Sequence, residues 1–195
     1  MKTMRLFIAI PVPGHIKKEL VPAQKILGEG NPHVRIVPPT GIHLTLKFLG
    51  DTAPNRIRAV RVAMEKAAAT VSEPIRLQCE RTGVFPDIDK PRVLWAGLEG
   101  DIAALIKLHR ILDRVLADAG FAAEKLPFHP HLTLGRVRAP KMLGSLRKAF
   151  HQVESLRFGE FEAEALVLYE SELQPTGAVY TSIERIVLPR SGGAR

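Results

Sequence analysis

The sequence predicts an α+β fold: two similar lobes with antiparallel-rich sheets flanked by helices, pseudo-two-fold, with the active-site cleft between the lobes. Three observations carry this. The tetrapeptide His-Leu-Thr-Leu occurs twice, at residues 43–46 and 131–134, 88 residues apart and one copy in each half. Strand-like and helix-like stretches alternate along the chain, and each tetrapeptide is followed by a helical pattern. No linker or low-complexity segment separates the halves, so residues 1–190 read as one bilobal domain, with a flexible tail at 191–195.

The elements follow in order from local chemistry. Residues 5–10 form an apolar strand stopped by Pro11-Val12-Pro13-Gly14. Residues 15–28 carry Ile16, Leu20, Ala23, Ile26 and Leu27 at helical spacing and end near Gly28. Residues 34–37 are a short strand closed by Pro38-Pro39, and the first tetrapeptide strand then runs to Gly50-Asp51. Residues 54–70 are an amphipathic helix, with Ile57, Val60 and Met64 opposing Arg58, Arg61 and Lys66. Strands are expected at 75–82 and 92–98, with a Pro-rich charged linker at 85–91 between them. A helix at 101–119 ends at Gly120. The second tetrapeptide strand comes next, then a helix near 141–151, a strand over 157–170 and a strand over 178–188.

Composition narrows the class. The chain has 195 residues, 46% of them hydrophobic, enough for a real core. A net charge of +8 points to a polyanionic partner. The single cysteine, Cys79, excludes an intrachain disulfide and a thiolate metal site, fits the reducing cytoplasm, and sits in an alternating apolar run as a buried structural residue. No apolar run is long enough to span a membrane. The start, ending at Pro11, reads as a first strand rather than a signal peptide. A monomer is expected.

The two tetrapeptides hold the candidate chemistry. Ile42, Leu44, Leu46 and Phe48 alternate with His43, Thr45 and Lys47, the period of a half-buried strand. Residues i and i+2 share a face, so His43 and Thr45 point one way while the leucines pack behind. The second copy repeats this with His129, His131 and Thr133. Lys47 then shares the face of His43, either at the site or in solvent. Strict alternation puts Arg136 opposite His131, unless Gly135 marks a bulge that re-aims it. A metal site is the weaker reading, because two histidines with no nearby carboxylate or cysteine need His129 as a third ligand. No cofactor is expected.

The chain resembles the 2H phosphoesterases, defined by paired His-x-Thr-x motifs, and within them the RNA 2′,3′-cyclic phosphodiesterases also described as 2′-5′ RNA ligases. The stretches that carry the resemblance are residues 5–10, 43–50 and 128–136, with the Trp95 strand and residues 166–171 also similar. The resemblance implies hydrolysis of RNA 2′,3′-cyclic phosphate ends to 2′-phosphate ends, with tRNA fragments one candidate substrate and the physiological RNA left open. It implies that His43 is the proton donor and His131 the proton acceptor. Residue chemistry alone leaves that order open, because the reverse reaction exchanges the roles. Opening the cyclic diester needs a base and an acid, and histidine serves both near neutral pH. Thr45 and Thr133 can donate hydrogen bonds to the non-bridging oxygens. Arg136 is the phosphate clamp by its forked donors and by the family pattern. His129 and Lys47 are expected to support the site or to touch RNA. Three alternatives stand beside hydrolysis: 2′-5′ ligation by the same site, action on a small cyclic nucleotide, and RNA binding without catalysis.

Overall fold

The computed structural model describes residues 3–139, 141, 143–174 and 177–192. The chain order is β1 (Met4–Pro11), α1 (Gly14–Gly28), β2 (Val34–Ile36), β3 (His43–Thr52), α2 (Ile57–Ala68), β4 (Arg76–Phe85), β5 (Val93–Gly100), α3 (Ile102–Asp118), β6 (His131–Val137), α4 (Leu143–Val153), β7 (Arg157–Glu162), β8 (Ala165–Gln174) and β9 (Gly177–Val187). The expected elements are present, with one correction. The single strand expected over 157–170 is two, β7 and β8, separated at Ala163-Glu164. Those two strands lie far apart in the sheet, and Ala163 is fully buried at the crossover. Of the expected helix near 141–151, Met142 lies outside the described residues. So does most of the expected tail: residues 193–195 are outside them, while the Ser191 N–H donates to the Glu162 carboxylate at 3.0 Å.

The two sheets expected for the two lobes are joined into one. Its order is β7-β4-β5-β6-β3-β1-β8-β9, with β2 added against β6, and every pairing is antiparallel. The motif strands β3 and β6 are the central neighbours, with three further strands beyond each. Their seam is held by the pair Leu44–Leu132. Helices α2 and α3 pack together against the β3 and β8–β9 side; α1 and α4 pack together against the β6, β4 and β7 side. Each half of the sheet therefore has a helix pair, which is the pseudo-two-fold seen in the duplicated motif. The core is continuous across the seam: Leu44 and Leu132 are buried with Ile16 of α1, Met64 of α2, Leu112 of α3 and Leu146 of α4.

Both motif strands carry a bulge at the same position. In the β1–β3 ladder Ala9 pairs with Thr45 and Ile8 with Lys47, so Leu46 is the extra residue. In the β5–β6 ladder Trp95 pairs with Thr133 and Leu94 with Gly135, so Leu134 is the extra residue. A bulge shifts every later side chain to the other face. Hence Lys47 and Gly135 are buried, and Phe48 and Arg136 are exposed.

Candidate active site

The antiparallel Leu44–Leu132 pair sets the geometry. One residue either way places Thr133 across from His43, and His131 across from Thr45. The two histidines are then diagonal neighbours, with backbones about 7–8 Å apart. All four side chains share the face opposite the buried leucines, and each of the four is partly exposed. The motifs were expected to face each other across a gap between two sheets; they lie side by side on adjacent strands of one sheet.

The backbone two residues before each imidazole acts on it. His131 Nδ1 donates to the His129 carbonyl at 2.7 Å. That bond puts the ring proton on Nδ1 and leaves the Nε2 lone pair free in the neutral form. For His43 the Gly41 backbone, also two residues before it, acts in the same sense and raises the ring's basicity. The surroundings differ. His43 lies 4.8 Å from the Phe7 ring and meets Tyr180 edge-on at 5.2 Å, with Tyr169 at 6.2 Å. His131 meets Phe85 edge-on at 5.1 Å.

Burial is the first cause of depressed basicity at both rings. It pulls His43 down to about 4, aided by the positive charges of Lys17 and Arg136 and opposed by the Gly41 backbone. His131 is also pulled below its ordinary value, by burial first, with Arg136 and His129 adding positive charge and the His129 carbonyl opposing. One guanidinium thus acts on both rings. The bulge at Leu134 is the reason: it returns Arg136 to the histidine face that plain alternation denies it.

The structure corrects the expectation for Lys47. The matching bulge at Leu46 turns it inward, where it is 3% exposed. Its ammonium bonds Asp113 and the Ala122 carbonyl, each at 2.6 Å, with Glu124 at 3.3 Å. It does not share the face of His43. His129 contributes its backbone carbonyl, and its own side chain is exposed. Among the described residues no three His, Cys, Asp or Glu side chains are grouped to hold a metal ion. Cys79 is buried, with its thiol pushed up to about 12 by burial and by Glu80.

Two residues escape a reading of the motifs. Lys17 of α1 is a half-buried cation within electrostatic reach of His43, and burial pulls its own basicity down. Phe48 is 62% exposed, with its ring 6.0 Å from Phe7 beside His43. Lys17 has no sequence signal. Phe48 has one: set against each other, His-Leu-Thr-Leu-Lys-Phe and His-Leu-Thr-Leu-Gly-Arg align Phe48 with Arg136.

Comparison with known proteins identifies the family. Residues 14–175 match the model of the 2′-5′ RNA ligase superfamily. A Methanocaldococcus jannaschii protein named RNA 2′,3′-cyclic phosphodiesterase is 31% identical, over 93% of this chain and 99% of its own. An Aquifex aeolicus protein of the same name is 32% identical, over 96% and 99%. Among solved structures, TT0787 of Thermus thermophilus superposes with a TM-score of 0.79 at 31% identity, over 95% of this chain and 98% of that one. E. coli LigT complexed with 3′-AMP superposes with a TM-score of 0.76 at 25% identity, over 96% and 99%. This chain belongs to the 2′-5′ RNA ligase superfamily.

Proposed function

We propose that this protein hydrolyses RNA 2′,3′-cyclic phosphate ends to 2′-phosphate ends by acid–base catalysis between His43 and His131. The observation that carries the reading is the two-fold quartet around Leu44–Leu132, with Arg136 acting on both imidazoles. A phosphorus centred over the seam has one imidazole on each side, as in-line displacement requires. His131, neutral and with its Nε2 lone pair free, takes a proton from water. His43 gives a proton to the departing ribose 3′-oxygen. The anionic phosphate offsets the charges of Lys17 and Arg136 and so restores basicity to His43 as it binds. Thr45 and Thr133 donate to the non-bridging oxygens, and Arg136 clamps them through its forked donors. Phe48 offers an exposed ring on which the terminal base stacks. No metal ion takes part.

The substrate is RNA, including fragments of tRNA, and residues 1–190 act as one bilobal unit, monomeric and cytoplasmic. The continuous sheet supports the single unit, and the lone buried cysteine suits a reducing compartment. No helix among the described residues is long and apolar enough to cross a membrane. The test is a short RNA ending in a 2′,3′-cyclic phosphate, incubated with and without a strong chelator, with the end group identified. A 2′-phosphate end is expected in both. His43→Ala and His131→Ala should each lower turnover by about 10²–10⁴-fold while the far-ultraviolet spectrum is unchanged. Full turnover in either variant, or loss on chelation restored by a divalent ion, contradicts the mechanism.

A further inference from the structure

Two like charges face each other beside the catalytic residues. Arg35 of β2 pairs directly with Arg136 of β6. Side chains directly opposite on an antiparallel ladder project from the same face, with Cβ atoms about 4.5–5.5 Å apart, and like charges there repel. The neighbour Ile36 fixes which face this is. Ile36 turns to the helix layer, where a Cβ added at Gly28 of α1 would lie 2.9 Å from its side chain. Arg35, one residue earlier, therefore turns to the histidine face, and it is exposed. Strand β9 leads to the same place. Tyr180 meets the His43 ring edge-on, and three residues earlier a Cβ added at Gly177 would lie 3.1 Å from the Arg35 guanidinium. One short stretch of strand, about 10 Å long, thus runs from His43 to Arg35.

Strands β3 and β2 lie end to end along one edge of β6: Leu44 pairs with Leu132, and Arg35 with Arg136. Arg35 therefore stands in line beyond His43. Phe48 lies at the opposite end of the seam, past Thr45. The shape of the substrate connects these two ends. A 2′,3′-cyclic phosphate straddles C2′ and C3′ of its ribose. The base hangs from C1′, next to C2′, and the 5′-carbon from C4′, next to C3′. With the 3′-oxygen at His43 and the base on Phe48, the 5′-oxygen leaves toward Arg136 and Arg35. From Thr133, beside the reacting phosphate, to Arg136 is about 7–10 Å along the strand, the reach of one nucleotide. Charge agrees with shape. The cyclic diester carries one negative charge, and Lys17 and Arg136 already act at His43. Arg35 adds a positive charge that the reacting group does not need.

We infer that Arg35, together with Arg136, binds the phosphate on the 5′-oxygen of the nucleotide that carries the cyclic phosphate, and so sets a preference for substrates with that second phosphate. The inference rests on the proposed cyclic-phosphate hydrolysis and on its placement of the 3′-oxygen and the base. The ligand is a phosphate group, whether the 5′-monophosphate of a single nucleotide or the internucleotide diester of a chain. The forked donors of a guanidinium suit either. Arg35 touches no reacting atom and is a specificity-determining residue. It grips a group that is the same before and during the reaction, so its effect falls on KM and not on kcat.

The experiment compares four substrates at low salt: adenosine 2′,3′-cyclic phosphate, the same nucleotide with a 5′-monophosphate, a dinucleotide ending in the same cyclic group, and that dinucleotide with a neutral methylphosphonate link. In the wild type, kcat/KM should be about tenfold higher with the 5′-monophosphate than without it, the gain of one charge-assisted hydrogen bond. The charged dinucleotide should share the gain, and the methylphosphonate dinucleotide should lose it. A gain with the monophosphate and none with the charged dinucleotide would confine the site to free 5′-phosphates and overturn its role on a chain. Arg35→Met should bring the ratio of phosphorylated to unphosphorylated substrate close to one, and Arg35→Glu should take it below one. A residue that only supports the fold would scale both substrates equally and leave the ratio unmoved. A wild-type ratio near one, a ratio unmoved in Arg35→Met and Arg35→Glu, or a methylphosphonate dinucleotide as good as the charged one overturns the inference and leaves the hydrolytic reading standing. Absence of hydrolysis of all four substrates overturns that reading itself.

Discussion

At the scale of single residues, the depressed basicity of both histidines makes a kinetic prediction. Catalysis needs one ring charged and the other neutral, and in the free protein both lose their protons below the ordinary value of 6.5. The profile of kcat/KM, which reports the free enzyme, should therefore be a bell with its optimum on the acid side of 6.5. The profile of kcat should lie higher, because bound phosphate offsets Lys17 and Arg136. Arg136→Ala should raise the acid limb of kcat/KM; an alkaline limb of the wild type above about pH 7.5 would contradict the burial argument. The same shift acts on stability. A histidine with a lower basicity folded than unfolded costs nothing above 6.5, and stability is lost as pH falls from 6.5 toward 4, where only the unfolded chain takes up the proton. His43→Gln should remove up to about 3 kcal/mol of that loss, read from denaturant midpoints at pH 7 and pH 4.5. Of the site residues, His43, Thr45, His131 and Thr133 were legible because i, i+2 alternation is a local property of a strand. Arg136 is named from its forked donors and the family pattern, but its face stays open between alternation and a bulge; the faces of Lys47 and Phe48 are misread by alternation, because they depend on the ladder partner opposite.

At the scale of elements, the bulges at Leu46 and Leu134 explain that failure and make the two motifs unequal. After each bulge the strand turns one residue into the core and the next onto the catalytic face. Motif one places Lys47 and Phe48 at these positions, motif two Gly135 and Arg136. Gly135 stands in tight quarters: an added Cβ would lie 3.3 Å from the Arg35 carbonyl oxygen, so the β2–β6 pairing would have to give by a few tenths of an ångström. Lys47 instead spans to α3 and to the loop after it, which leads to Phe128, His129 and His131. Asp113 accepts from Lys47 and also from the Glu124 N–H, and Phe128 stacks on His109 at 4.1 Å. Lys47→Met should therefore destabilise by about 3 kcal/mol, the low end for breaking a buried pair, since Asp113 keeps some water contact. The same variant should lower turnover by loosening the loop that carries the His131 support. Denaturant titration and kinetics on one preparation check both; a midpoint equal to wild type would show that the pair contributes nothing. The helices were legible from their apolar spacing. The split of 157–170 into β7 and β8 was not, because both halves alternate as strands and only their partners, β4 and β1, tell them apart.

At the scale of the whole molecule, duplication was legible and the joining of the halves was not. Each half contributes one motif strand, and the pairing of Leu44 with Leu132 closes two lobes into one sheet through residues 88 apart. The helix pairs reinforce the seam by exchange. Helix α1 leaves β1 on one side and packs with α4 on the other, while α3 leaves β5 and packs with α2 across the same line. Neither lobe completes its own helix layer, so the spacing of His43 and His131 is fixed by the fold of the entire chain. Charge is the property that acts over this same length. The molecule carries a net +8; under the proposed mechanism Lys17 and Arg136 act at the reacting phosphate, and the rest of the charge meets only the phosphates of a longer strand. A single-stranded nucleic acid loses affinity with log salt at a slope of about 0.7 for each phosphate neutralised. For a mononucleotide cyclic phosphate, log KM should therefore rise with log salt at a slope near that of one contact, about 0.7. For a ten-nucleotide cyclic-phosphate RNA it should rise several times more steeply, with kcat unchanged. Arg136→Ala should cut turnover on the mononucleotide by about 10²-fold, as removal of one transition-state donor does. Equal salt slopes for the two substrates would mean that the excess positive charge never touches RNA, and that recognition ends at the terminal nucleotide.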